Sequence, residues 1–282
     1  DANGTNGTQQ AATGNTEKVS ASDDGKVLNI YCWNEEFKSR ITDHYPDYKE
    51  VDATHGKIGD VEVVWNITPS DDNAYQNNLD TTLLNQNDAQ ADDKIDLFLV
   101  EADNALKYVD TDYTMPIKDL GITDEDLSKQ YQYTKDIVTD SNGTLKGVSW
   151  QGCPGVLFYN REAAKEVLGT DDPDEVQKYV KDWDTFNDTA KKMKDAGYKM
   201  TSSANDTYRV YSNNVTTKWV TDGKVSVDDN IMKWVDDSKK LVDAGETGTF
   251  DMWSDDWSKG FYPEGKVFCY FGPAWLVNFS MA

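Results

Sequence analysis

Cationic side chains are scarce in this chain, and long apolar runs are missing from it. Only 28 lysines and arginines stand against 51 aspartates and glutamates, for a formal charge of −23. A field of that sign repels phosphate backbones and anionic headgroups, so nucleic acid and a bare lipid surface are excluded as partners. No apolar stretch approaches the roughly 18 residues of a membrane span. The chain opens on a polar tract instead of a secretory signal. Histidine is rarer still: His44 and His55 are the two present. Neither belongs to a Ser-His-Asp or zinc pattern, and both read as surface residues. Cysteine is limited to Cys32, Cys153 and Cys269. Their spacing contains no CxxC pair, which argues against a metal site, and an odd number leaves at least one thiol free or bridging between chains. The reading preferred here is three small buried hydrophobes. No Gly-rich phosphate loop follows any predicted strand, so no nucleotide, cofactor or metal is expected.

Aromatic residues are present in excess. They make up 12% of a chain that is only 38% hydrophobic, with nine tryptophans and fifteen tyrosines. Most aromatics in any fold are core; those beside breakers and acids are the candidates for function.

Residues Asp1 to Asp24 are rich in Asn, Gly, Thr, Ser and Gln, have little to bury, and read as a disordered leash. Val27–Trp33, Val61–Ile67 and Ile95–Val100 read as strands of largely apolar character. Helices are expected between and after them: one from near Phe37, one through Leu84 with Tyr75, Leu79 and Leu83 on a face, and one through Val109. This alternation is the grammar of an open parallel sheet, whose ligands bind outside the carboxyl ends of the strands. Those ends are Trp33-Asn34-Glu35, Thr68-Pro69-Ser70 and Glu101-Ala102-Asp103. Thr123–Val138 is predicted as a helix, and Asp140-Ser141-Asn142-Gly143 as a turn.

The stretch Lys146–Arg161 organises the whole chain. Two extended runs, Leu145–Trp150 and Gly155–Tyr159, flank the breaker Gln151-Gly152-Cys153-Pro154. Beyond it the alternation restarts. Helices are predicted over Arg161–Leu168, Pro173–Val180, Thr185–Ala196 and Asn230–Ala244, the last with Ile231, Trp234, Val235, Leu241 and Val242 as its buried stripe. Strands are predicted over Lys199–Ser203 and Lys266–Phe271. Phe250, Trp253, Trp257 and Phe261 are spaced for one helix face.

Three segments then carry a resemblance: GVLFYNREAAKEVLG from Gly155, Trp183-Asp184 leading the helix to Gly197, and GKVFCYFGPAWL from Gly265. Together they resemble extracellular solute-binding proteins of carbohydrate ABC transporters, the maltose-binding-protein-like family, over residues 27–276. The resemblance implies an α/β fold of two lobes, periplasmic-binding-protein-like, each lobe a mostly parallel sheet flanked by helices, with a ligand cleft between them. The lobes are expected over 25–151 and 152–282. It also implies that the chain stops before such a protein normally ends, with later segments of both lobes missing. Ligand contacts implied by the family fall on Trp33, Asn34 and Glu35; on Glu101 and Asp103; on Trp150 and Gln151; on Asn205, Asp206 and Tyr208; and on Trp275. Trp253 is added as a further plate. One departure is Ala274, inserted into the family's Gly-Pro-Trp and bearing on how the Trp275 indole is aimed.

Such residues suit a sugar. An indole covers the C–H face of a pyranose, while carboxylates and amides take its hydroxyls. The expected function is binding a sugar or oligosaccharide outside the cell and delivery to a permease by hinge closure about Gln151–Pro154. The expected protein is a monomer without catalytic residues, tied to the membrane only by a lipid anchor upstream of residue 1, at a Gram-positive surface or in a periplasm. The rival readings are a glycoside hydrolase, using Glu35, Glu36 or Glu101, and a free-standing carbohydrate-binding surface protein.

Overall fold

Alternation in the first strand sets the layering of the first half. The computed structural model describes residues 25–281, so the leash expected over Asp1–Asp24 lies outside the described residues. Among those residues the chain divides into two compact units, one ending at Trp150 and the other starting at Gln151.

The first unit holds β1 (Val27–Cys32), α1 (Glu36–His44), β2 (Tyr48–Glu50), β3 (His55–Ile58), β4 (Val61–Ile67), α2 (Ala74–Leu84), β5 (Leu97–Phe98), α3 (Ala102–Val109) and α4 (Gln132–Asp136). Its sheet runs β2-β3-β4-β1-β5. β1 pairs in parallel with β4 and β5, whereas β2, β3 and β4 pair antiparallel. The parallel grammar therefore holds at the centre, and an antiparallel edge the sequence did not announce is added beside it. On one face Ile30, Cys32, Val63 and Trp65 pack beneath Phe37 and Ile41 of α1. On the other, Tyr31 and Phe98 meet Tyr75, Leu79 and Leu83, the predicted stripe of α2. Successive residues of a strand point to opposite faces, which is why Ile30 and Tyr31 enter different clusters.

The second unit holds β6 (Gly155–Tyr159), α5 (Arg161–Leu168), α6 (Pro173–Val180), α7 (Trp183–Asp195), α8 (Tyr208–Ser212), β7 (Val220–Thr221), β8 (Lys224–Val225), α9 (Asp229–Asp243), α10 (Asp255–Ser258), β9 (Cys269–Pro273) and α11 (Leu276–Phe279). Caps explain its helices. Asn160 accepts from the Ala163 N–H ahead of α5, and Gly169 ends that helix at φ +79. Pro173 takes the first turn of α6 behind the N-cap Asp172. Asp182 and Thr185 form a reciprocal capping box on α7. Asp228 caps α9, and Gly245 follows its end at φ +68.

Several expectations give way here. β6 and β9 pair antiparallel, so the second sheet is not mostly parallel; a single parallel bridge, Lys199 to Val267, stands where the Lys199–Ser203 strand was expected. Leu145–Trp150 makes only one bridge, through Leu145 to Thr139. The Thr123–Val138 helix is reduced to α4, because Asp126 accepts from the Thr123 N–H and hydroxyl and closes a local turn instead. The aromatic run from Phe250 yields only the short α10: Trp257 is buried, but Trp253 is 55% exposed and Phe250 also lies on the surface. In α9, Val235 and Val242 are exposed, and the buried positions are Ile231, Ser238 and Leu241. Cys32 and Cys269 are buried as expected, but Cys153 is exposed.

Candidate functional site

Hydrogen bonds at the strand ends hold the first group of candidates. The Tyr75 hydroxyl, rising from α2, donates to the carbonyl of Leu99 at 2.6 Å and to that of Tyr31 at 3.1 Å. It thereby ties the carboxyl ends of β1 and its neighbour β5. The Thr68 N–H donates to the Cys32 carbonyl at 3.0 Å, fixing the end of β4 to the same point. Trp33 emerges there and meets the Tyr75 ring edge-on at 5.6 Å. Trp150 meets the Phe37 ring of α1 at 5.4 Å, also edge-on. Both indoles are half-buried against the Ile30–Trp65 cluster, so the fold brings the two to one sheet. Asn34 is exposed, and its Oδ1 accepts from the Glu36 N–H at 3.0 Å. Glu35 is exposed beside it. Burial, helped by the Glu35 charge, pushes the Cys32 thiol up to about 11, so it stays protonated and inert. Glu101 and Asp103 are exposed at the start of α3, where their charge also suits the helix N-terminus.

In the second unit the candidates separate into surface and interior. Trp253 and Trp275 stack with ring centroids 6.0 Å apart and planes 21° from parallel. Trp275 is 37% exposed, so the inserted Ala274 does not bury the indole. Leu276 is fully buried beneath it; Gly272 lets the Leu276 side chain fold back, since a Cβ there would meet its Cδ2 at 2.8 Å. Trp253 sits on the turn Asp251–Ser254, closed by the Ser254 hydroxyl donating to the Asp251 carbonyl at 2.7 Å. Its backbone is left-handed, φ +71, which a non-glycine residue adopts only against steric strain. Below it, the Trp257 indole lies 4.9 Å from the Trp253 ring.

Asp206 lies in the interior. It is 2% exposed, with one carboxylate oxygen accepting from Trp257 Nε1 at 2.7 Å and the other from the Ser203 N–H at 2.8 Å. Its expected contact with ligand is therefore not what the structure presents; its oxygens face the core. Asn205 is exposed on the same turn. Tyr208, at the start of α8, meets Trp234 edge-on at 4.9 Å. Gln151 is half-buried and accepts from the exposed Cys153 thiol at 3.7 Å.

One aromatic escaped the sequence reading, and a second, Trp234, was read only as core. Phe279 is exposed and meets Trp275 edge-on at 6.2 Å; its signal was its position four residues on from Trp275. Trp234 carries a buried Nε1 with no hydrogen-bond partner among the described residues, and only tertiary packing reveals it. Among the described residues no group of three or more His, Cys, Asp or Glu is placed to hold a metal ion. His44 is exposed, and His55 pairs with Asp52 at 2.9 Å on the surface. Among the described residues, no helix is long and apolar enough to cross a membrane.

What the geometry offers is indole surface with carboxylate and amide groups nearby, in each unit. Such groups bind a hydroxylated ring through its C–H face and its polar edge.

Comparison with known proteins agrees. The family model for bacterial extracellular solute-binding proteins matches residues 48–279. No curated protein sequence matches the chain. Among solved structures, an extracellular solute-binding protein of family 1 superposes with a TM-score of 0.69 at 18% identity, over 90% of this chain and 62% of that one. The galacto-N-biose/lacto-N-biose I-binding protein of the ABC transporter from Bifidobacterium longum, in complex with lacto-N-biose, gives 0.62 at 17%, over 92% and 62%. The ABC-transporter-associated binding protein from B. animalis subsp. lactis, in complex with β-1,6-galactobiose, gives 0.59 at 18%, over 91% and 60%. The chain thus spans 60–62% of the length of these three. At such identities the likeness shows the fold.

Proposed function

This chain belongs to the family of bacterial extracellular solute-binding proteins, and from that premise we propose that it binds a sugar or oligosaccharide outside the cell and passes it to the permease of an ABC transporter. The observation that carries the proposal is the stacked pair Trp253 and Trp275, held at the surface by a strained backbone at Trp253. Two large indoles kept half in water forgo the burial that ordinarily stabilises a fold, and strain is retained where it positions a group for use. Two of the structural neighbours described above are in complex with β-1,6-galactobiose and lacto-N-biose, which supports a sugar as the ligand class. In the first unit Trp33, Asn34, Glu35, Glu101, Asp103 and Trp150 make the corresponding set, and Gln151, Asn205 and Tyr208 supplement the second. The protein binds without chemistry of its own. Closure about Gln151–Pro154, a monomeric state and a lipid anchor belong to the same proposal.

Calorimetry against β-1,6-galactobiose, lacto-N-biose and a panel of glucans, xylans and fructans tests it. Binding with no new reducing ends is the expected result. Release of shorter sugars would establish a hydrolase instead, and no binding across the panel, with no rise in melting temperature, would remove the sugar reading.

A further inference from the structure

A carboxylate shut inside a protein is held there against its hydration, so its retention calls for a reason. Asp206 is such a group. Its immediate partner, Trp257, is fixed at both ends. The Trp257 carbonyl accepts from the Ser202 hydroxyl at 3.0 Å and from the Tyr270 hydroxyl at 2.8 Å, while the indole N–H donates to Asp206. Gly260 leaves the space for that approach, since a Cβ there would fall 2.0 Å from the Tyr270 hydroxyl. The Trp257 ring also meets Trp253, and Trp253 stacks on Trp275. A continuous line therefore runs from a buried charge to an exposed aromatic surface.

We infer that Asp206 is a positioning residue for the Trp253–Trp275 surface, acting through the Trp257 indole; the inference rests on the sugar-binding reading above. A charge-assisted hydrogen bond holds an indole more stiffly than a neutral one. Trp253 itself sits in a left-handed turn, and Trp257 is its contact on the core side.

The titration of the group gives the inference a signature. Burial pushes the Asp206 carboxyl up to about 6, against the downward pull of hydrogen bonds from Ser203, Trp257 and Ser202. The titratable groups that feel its charge are Cys269 and Tyr270 on β9. Burial pushes Cys269 and Tyr270 up, so both stay neutral across the range in question. Because the folded value lies above the ordinary one, the fold binds this proton more tightly than the unfolded chain does. Stability from this group alone therefore falls as pH rises from about 4 through about 6, while the ionised form that grips Trp257 is the one present at neutral pH. Stability and positioning are opposed, as expected where a buried charge is kept for use.

The test is the full chain and its Asp206→Asn and Trp257→Phe variants, followed from about pH 5 to 7.5. Two readouts are taken: the near-ultraviolet circular dichroism band lost in Trp253→Phe, and the affinity for β-1,6-galactobiose and lacto-N-biose. In the unmodified chain the band and the affinity should fall together on acidification, with a midpoint near about pH 6 and roughly a 5-fold loss of affinity or more. Asp206→Asn should show the low-pH band at every pH and a flat profile. Trp257→Phe keeps a ring but no donor, and should be flat as well; it carries the test alone if the Asn variant does not fold. A flat profile in the unmodified chain, or the original midpoint surviving in either variant, overturns the inference. If the band follows Asp206 but neither sugar binds, the positioning stands and the choice of ligand is what has failed.

Discussion

Replacing Trp253 by alanine and, separately, by glycine separates backbone strain from indole function. Both variants delete the same side chain. Somewhat less than half of that indole is covered, since it is 55% exposed. A tryptophan presents up to about 250 Å², so the covered part, at about 25 cal/mol per Å², is worth roughly 2–3 kcal/mol as an upper bound. Alanine loses this and still has to adopt φ +71. Glycine loses it too, but enters the left-handed region without steric penalty, a difference of about 1 kcal/mol in its favour. Glycine should therefore be the more stable of the two, reversing the order seen at ordinary positions. In urea, with a slope of roughly 2 kcal/mol per M, the midpoints should differ by about 0.5 M with unchanged slopes. Sugar affinity should fall about 10-fold in both, because the plate is gone from each. An alanine variant as stable as the glycine variant would show that residue 253 is not held left-handed. Unchanged affinity in both would remove Trp253 from the binding surface.

Two further outcomes follow from burial and charge. In the native protein a thiol reagent should label Cys153 alone, with Cys32 and Cys269 reacting only in denaturant, and Cys153→Ser should abolish native labelling; more than one equivalent without denaturant would contradict the burial. The Asp228 carboxylate accepts from the N–H groups of Thr216, Thr217 and Asn230, which hold it down to about 2. Its folded value lies below the ordinary carboxylate value, so its stabilisation is complete above about pH 4 and is lost as pH falls through about 2. Asp228→Asn should flatten that part of the urea-midpoint profile against pH, and an unaltered profile would refute the assignment.

Four helices of the second unit, α5, α6, α7 and α9, were readable in advance to within two residues, whereas α8 and α11 were not foreseen. Arg161–Leu168 and Pro173–Val180 match α5 and α6 because Asn160, Asp172 and Gly169 act within one turn of the residues they cap. Val61–Ile67 matches β4 for a similar reason: its apolar run is bounded by Gly59-Asp60 and by Thr68-Pro69. Residues 123–138 misled because a Thr that caps helices also closes short turns, and nothing local chooses between them. Of the candidate plates, Trp33 follows the end of β1 and both it and Trp150 pack against the first sheet's cluster, though no strand leads to Trp150; the run from Phe250 split into an exposed Trp253 and a buried Trp257.

Membership of the extracellular solute-binding family, the capped helices and the central parallel strands were thus contained in the order of residues, because each depends on neighbours a few positions apart. Three things depended on folding. β6 pairs with β9 across more than a hundred residues and does so antiparallel. Asp206 is turned inward by an indole 51 residues away in the chain. Trp253 is left in water by a left-handed turn that no periodicity announces. Packing decides such matters, since a side chain's exposure is set by what remote segments leave uncovered once their own burial is satisfied.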